Sequence, residues 1–132
     1  MFEIKFCSTL KIRNYDKNRN RSLCRHKHHG SHGKSFKRFC TGSEAIEAGD
    51  ELKIIFEGAD TKWIGEMEKT DHTLHQMYLG MKQHITGVCA YCAKAFGVKN
   101  EIEKAGLPLL DEYKNHPSLR NLFVEGFHVI TI

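Results

Sequence analysis

The stretch Ile85-Thr86-Gly87-Val88-Cys89-Ala90-Tyr91-Cys92-Ala93-Lys94-Ala95-Phe96-Gly97 constrains the fold more than any other. It reads as a short buried strand, a turn with two thiols, and one or two turns of helix ended by a glycine. A strand that passes directly into a helix belongs to α/β architecture. Everything after Gly42 can be arranged around it as one α/β domain, residues 43–132.

Upstream of that stretch, Glu44-Ala45-Ile46-Glu47-Ala48 has strong helix propensity and Gly49 suits the position just past a helix end. Five residues are too few for a stable helix, so this reads as the last turns of one whose beginning is absent. Leu52 to Phe56 is a buried strand closed by Gly58. A helix end, a glycine and a strand make the second half of a βαβ unit. Thr61 to Met67 suggests a short helical turn. Asp71 or Thr73 is placed to cap a helix through about Gln83, with Leu74, Met77, Tyr78 and Met81 at helical spacing. After the cysteine turn, Asn100 with Glu103 reads as a capping box. Leu109-Leu110 is a short apolar segment, Ser118 caps Leu119–Glu125, and Phe127–Ile132 is a β-branched terminal strand. Strands separated by helices imply a mainly parallel sheet with helices on both faces, a three-layer α/β/α fold.

Residues 1–42 are of another kind. They hold eleven Lys and Arg against two acidic residues, a charge of +9. Residues 43–132 hold nine against fourteen, −5, and the net +4 of the whole hides the contrast. Phe2, Ile4 and Phe6 alternate as an edge strand does, but from Arg13 to Arg38 apolar periodicity is almost absent. A basic, His-rich segment of this type is normally disordered or binds a polyanion. Cys24, His26, His28, His29 and His32 also offer metal donors. Residues 1–42 are therefore expected to be irregular, with a domain boundary at Gly42.

A missing half-unit beside an alien composition suggests a reading-frame error. Back-translating Tyr15 to Ser43 with synonymous codons and shifting by one base permits the reading MIKTAIVVYADTNTMEAMGRVSNAFVLA. Leu23-Cys24-Arg25-His26 as TTA-TGC-AGA-CAC, for example, becomes TAT-GCA-GAC. The shifted string supplies an apolar strand, a polar loop and an amphipathic helix that runs into Glu44. Residues 15–42 are thus expected to be an out-of-frame translation of a first strand and helix; a genuine basic extension is the alternative.

Cys89 and Cys92 lie where a strand gives way to a helix. Free N–H groups and the helix dipole at such a place stabilise a thiolate. A thiolate can attack sulfane sulfur or a disulfide, and a second thiol can resolve the product. Two other readings stay open: both cysteines serve as small buried apolar residues, or they are half of a zinc site. Tetrahedral zinc wants four ligands, no second CxxC exists, and His84 joins only from another subunit, so no metal site is assigned. Glu57, Gly58, Asp60, Thr61, Lys62 and Trp63 follow a strand's C-terminal end, where open α/β sheets bind ligands. Gly58, Thr61, Lys62 and Trp63 are the candidates there, although a solvated loop and a core tryptophan account for the same residues. His72, His75 and His116 read as exposed surface residues.

The helix end at Glu44–Gly49, the strand Leu52–Phe56, Glu57-Gly58-Ala59-Asp60-Thr61-Lys62-Trp63, Gly87-Val88-Cys89-Ala90-Tyr91-Cys92, Phe96-Gly97-Val98 and the terminal strand together resemble the DsrE/DsrF-like family of small sulfur-relay proteins. The shifted string resembles that family's first strand and helix. The resemblance implies a three-layer, flavodoxin-like or Rossmann-like fold, a homo-oligomer, and a sulfurtransferase-type persulfide carrier. Cys89, eight residues before Gly97, matches the sulfur-carrying cysteine, and Cys92 matches an additional thiol of one subgroup. It implies sulfur donor and acceptor proteins as partners. A non-enzymatic small-ligand-binding or assembly module with structural cysteines is the alternative.

No apolar run approaches the roughly 18 residues needed to span a bilayer. The N-terminus, Met1 to Phe6, lacks a secretory signal, and five cysteines without one argue against a disulfide scaffold. The expectation is a cytosolic protein that needs no cofactor, contacts no membrane and binds no nucleic acid. A basic tail on an acidic domain is the competing nucleic-acid reading.

Overall fold

The computed structural model describes residues 9–13 and 31–131. Among these residues five strands form one sheet: β1 (Thr9–Arg13), β2 (Glu51–Phe56), β3 (Ile85–Cys89), β4 (Leu109–Leu110) and β5 (His128–Thr131), in the order β4-β3-β2-β1-β5. Strands β2, β3 and β4 pair in parallel. β1 is antiparallel to both β2 and β5, so β5 runs with the parallel group. The sheet is therefore mainly parallel, with one reversed strand between β2 and β5.

Among the described residues six helices surround it: α1 (Ser31–Glu47), α2 (Lys62–Met67), α3 (His75–Met81), α4 (Ala90–Ala95), α5 (Lys99–Lys104) and α6 (Leu119–Val124). A 3-10 turn over Gly58–Thr61 leads into α2, and another over Lys82–His84 leads from α3 into β3. Among the described residues no helix is long and apolar enough to cross a membrane.

The layers follow from side-chain alternation along β2. Leu52, Ile54 and Phe56 face a large core completed by Phe39, Ile64, Met67, Tyr78, Val88 and Ile102. Ile55 belongs to a second cluster with Leu122 of α6 and Phe127. Both faces of the strand are buried, which is why Ile54-Ile55-Phe56 reads as a continuous apolar run. Helices α1 to α5 contribute to the large core, and α6 covers the smaller one, giving the α/β/α arrangement.

The N-terminal expectations change. The Phe2–Phe6 strand and residues 15–30 of the out-of-frame segment lie outside the described residues. Over 31–42 the expected irregularity is corrected: α1 starts at Ser31 and runs unbroken through Gly42 to Glu47. The helix whose beginning looked absent has one. Phe39, Gly42 and Ala45 share a buried face at three-residue spacing, and Arg38 is buried in an ion pair with Asp60. One aromatic, a glycine and an arginine carry too little hydropathy to register as an amphipathic pattern. Strand β1 was not anticipated either.

Two caps also differ. α3 begins at His75 and its N-cap is Leu74, whose N–H bonds to His72 Nδ1 at 3.1 Å, so neither Asp71 nor Thr73 caps it. α5 starts one residue before Asn100, with Val98 as N-cap and no side-chain cap bond. The cap of α6 is the expected one: Asn121 N–H donates to Ser118 Oγ at 3.3 Å. His75, expected on the surface, is buried, with Nδ1 2.7 Å from Met67 O.

Candidate functional site

Cys89 is the last residue of β3 and the N-cap of α4. It sits opposite Leu110 in the parallel pairing with β4, at the C-terminal edge of the parallel strands. Ligands of open α/β sheets bind at this edge. The approach of β4 depends on Gly87. A Cβ there would lie 2.7 Å from both Leu110 Cγ and Pro108 O. Pro108 O in turn accepts Val88 N–H at 2.9 Å.

That close approach sets the start of the segment between β4 and α6. It turns sharply at Lys114 and Asn115, both left-handed, with φ of 50° and 64°. Non-glycine residues pay for that conformation, and such strain gathers at functional sites. Tyr113 and His116 close the turn with two reciprocal backbone bonds of 2.9 Å. Asn115 O accepts Tyr91 N–H at 2.8 Å, which pins the turn to the first residues of α4. The His116 ring packs on Tyr91 with centroids 4.8 Å apart.

The result is a cluster of three donors. Cys89 Sγ lies 3.2 Å from His116 Nδ1 and accepts Cys92 N–H at 3.4 Å. The metal-ligating atoms of Cys89, Cys92 and His116 all lie within 4.8 Å of one another. Cys89 is buried, Cys92 half-buried and His116 exposed, so the cluster opens to solvent on the histidine side. The two cysteines that spacing predicts come together. The histidine, read as a plain surface residue, joins them across 27 positions. No local sequence pattern marks that contact, because it is made by the β3–β4 pairing and a strained turn.

The electrostatics correct another expectation. Burial pushes the Cys89 thiol up to about 12, and the Cys92 side chain and the charge of Glu57 push the same way. The Cys92 N–H bond opposes them and loses. α4 has only six residues, so one capping N–H is a weak counterweight to full burial. Cys89 thus rests as a protonated thiol beside an imidazole, rather than as a helix-stabilised thiolate.

The loop that follows β2 runs along the same sheet edge, its 3-10 turn touching β3 and α4. Thr61 is buried and its Oγ1 donates to Gly58 O at 2.9 Å. Lys62 and Trp63 line an open cavity of about 650 Å³ with Phe96 and Val98, and neither cysteine takes part in it. Lys62 Nζ sits 4.8 Å from the Phe96 ring centroid, while Trp63 packs against the large core. A second open cavity, of about 580 Å³, is lined by Tyr91, which lies between the two cysteines in sequence, by Asn115, which precedes His116, and by Lys94 and Lys99.

No family model and no solved structure matches the chain. Among curated proteins it is 34% identical over 90 residues to the uncharacterized protein MJ0733 of Methanocaldococcus jannaschii. The match covers 68% of this chain and 73% of that protein. The chain therefore belongs to the same family as that archaeal protein.

Proposed function

We propose that the protein is a DsrE-like cytosolic sulfur carrier that holds sulfane sulfur as a persulfide on Cys89. The observation that carries this reading is the 3.2 Å contact between Cys89 Sγ and His116 Nδ1. A buried thiol beside an imidazole need not ionise alone, because the ring takes its proton as the sulfur attacks. Nδ1 accepts that proton when the ring carries its hydrogen on Nε2.

The step balances without a redox partner. Cys89 Sγ attacks the outer sulfur of a persulfide donor, R–S–SH, and its proton passes to His116. The donor's S–S bond breaks, and the leaving R–S⁻ recovers the proton as R–SH. Cys89 becomes Cys89–S–SH. Cys92 can then attack the inner sulfur, forming a Cys89–Cys92 disulfide and releasing hydrogen sulfide, or the outer sulfur can pass to an acceptor. Lys94 and Lys99, which line a cavity together with Tyr91 and Asn115, favour an anionic donor.

Intact-mass measurement tests this. Reduced, metal-free protein treated with cysteine persulfide should gain the mass of one sulfur atom. The gain should persist in Cys40→Ser and vanish in Cys89→Ser, and His116→Ala should slow it by roughly 10²-fold or more. No gain at Cys89 sinks the reading.

An assembly role is the second reading, and it has one favourable observation. Phe123 and Val124 of α6 are 61% and 71% exposed, with Ile130 of β5 also exposed. A homo-oligomer would cover them, and sedimentation equilibrium would detect it.

The sulfur-carrier reading includes an out-of-frame origin for residues 15–42. β1, running against four strands that share one direction, fills the slot between β2 and β5 and favours it, whereas α1, regular from Ser31 and packed on the core through Phe39, counts against it. Coding DNA with two compensating indels near codons 15 and 43, relative to a sibling gene, would support it. A sibling encoding the same residues 15–42 would remove it.

A further inference from the structure

We propose that Cys89, Cys92 and His116 bind a zinc ion through two thiolates and one imidazole, leaving a fourth position open to solvent. This goes beyond the persulfide reading and uses the same cysteines in a different chemistry.

The donor geometry is close to what the ion needs. Zinc–sulfur bonds of about 2.3 Å and zinc–nitrogen bonds of about 2.0 Å place tetrahedral donors roughly 3.5–3.8 Å apart. Here Sγ of Cys89 and Nδ1 of His116 are 3.2 Å apart, and all three donors lie within 4.8 Å. These separations bracket the spacing that the ion requires.

The donor types select the metal. Thiolate with imidazole suits zinc, whereas calcium and magnesium take oxygen ligands. The cluster itself contains no carboxylate. Glu57 is buried and its negative charge bears on Cys89. That charge disfavours a bare thiolate at Cys89 and favours one that carries a divalent cation.

The site is also held in place without an ion. Cys89 ends a buried strand, Cys92 lies on the first turn of α4, and the His116 ring rests on Tyr91. Two left-handed residues before His116 fix its approach. The exposed histidine side supplies the open fourth position, the arrangement of reactive rather than purely structural zinc sites. On binding, two S–H bonds are exchanged for zinc–sulfur bonds, the protons leave to solvent, and no electrons are transferred.

The test uses the full chain with Cys7→Ser, Cys24→Ser and Cys40→Ser, so that Cys89 and Cys92 are its only thiols. The protein is reduced, stripped with chelator and titrated with cobalt(II) chloride. Thiolate-to-cobalt charge-transfer absorption and the intense visible bands of tetrahedral cobalt should grow to one equivalent, then bleach as zinc is added. Cys92→Ser should halve the charge-transfer intensity. His116→Ala, at an exposed position, should weaken cobalt binding at least about tenfold with an unchanged far-ultraviolet circular dichroism spectrum.

Absence of charge-transfer absorption would overturn the proposal. So would bands unaffected by His116→Ala, or cobalt bound by the histidines at 26–32 without a thiolate signal. Persulfide formation is read separately by mass on metal-free protein, so either result can fail without the other.

Discussion

The N-terminal half of α1 offers the sharpest test of the fold. Phe39 is 1% exposed and belongs to the large core, whereas Phe36, three residues earlier on the same helix, is 41% exposed. Truncating Phe39 to alanine removes roughly 100–130 Å² of buried apolar surface, about 3 kcal/mol of transfer free energy at about 25 cal/mol per Å². The cavity left behind adds up to about 2 kcal/mol, depending on how far the neighbours relax. Alanine's better helix propensity returns about 0.5 kcal/mol. The net loss should be about 3–4 kcal/mol. Equilibrium urea unfolding followed by circular dichroism measures it. With a slope of about 1.5–2 kcal/mol per molar urea, the midpoint of Phe39→Ala should fall by about 2 M at unchanged slope. Phe36→Ala should stay within about 0.5 kcal/mol of the parent protein. Equal and small shifts for the two variants would show that α1 before Gly42 does not pack on the sheet, and the buried face described above would be wrong.

Further outcomes follow from particular contacts. Burial works against the Glu68 carboxylate, but hydrogen bonds from Lys82 at 2.7 Å and Tyr78 at 2.5 Å outweigh it and hold Glu68 below the ordinary value of 4.5. A depressed carboxylate stabilises the fold above its unfolded-state value and loses that contribution as pH falls through its folded value. The stability gap between the parent protein and Glu68→Gln should therefore be about 1 kcal/mol or less at neutral pH, and should close below pH 4.5. A gap that widens in acid would refute the sign. Gly87→Ala should cost about 1–3 kcal/mol, since the added methyl meets backbone as well as the Leu110 side chain. It should also alter the alkylation rate of Cys89, because β4 carries the segment that brings in His116; an unchanged melting temperature would refute the close approach.

Much of residues 43–132 was legible because local signals and tertiary demands agree. Ile54-Ile55-Phe56 is apolar on both faces and buried on both. Ser118 and Gly126 bracket α6 as expected, with Gly126 at a φ of 83°. Where side-chain chemistry had alternatives, it misled. Asp71, Thr73 and Asn100 are good caps that are not used, because tertiary packing sets where α3 and α5 begin. α1 escaped notice for the opposite reason. Its buried face holds a glycine and an ion-paired arginine, whose burial depends on Asp60 and not on hydropathy. Similarly, a helix N-terminus is visible in sequence, whereas the desolvation that pushes the Cys89 thiol up is not.

By itself the sequence determined the alternation of strands and helices after Gly42, hence a mainly parallel α/β sheet, and placed two thiols at a strand's end. These are consequences of periodicity and spacing along the chain. Tertiary structure alone decided that β1 runs backwards between β2 and β5, that Arg38 has a buried partner, and that His116 stands 3.2 Å from Cys89. Each of these joins residues far apart in sequence, and the free energy that selects them comes from burial and pairing across the fold. The thiol pair became a three-donor cluster only when β4 closed against Gly87 and the turn at Lys114 and Asn115 carried the imidazole back over the strand.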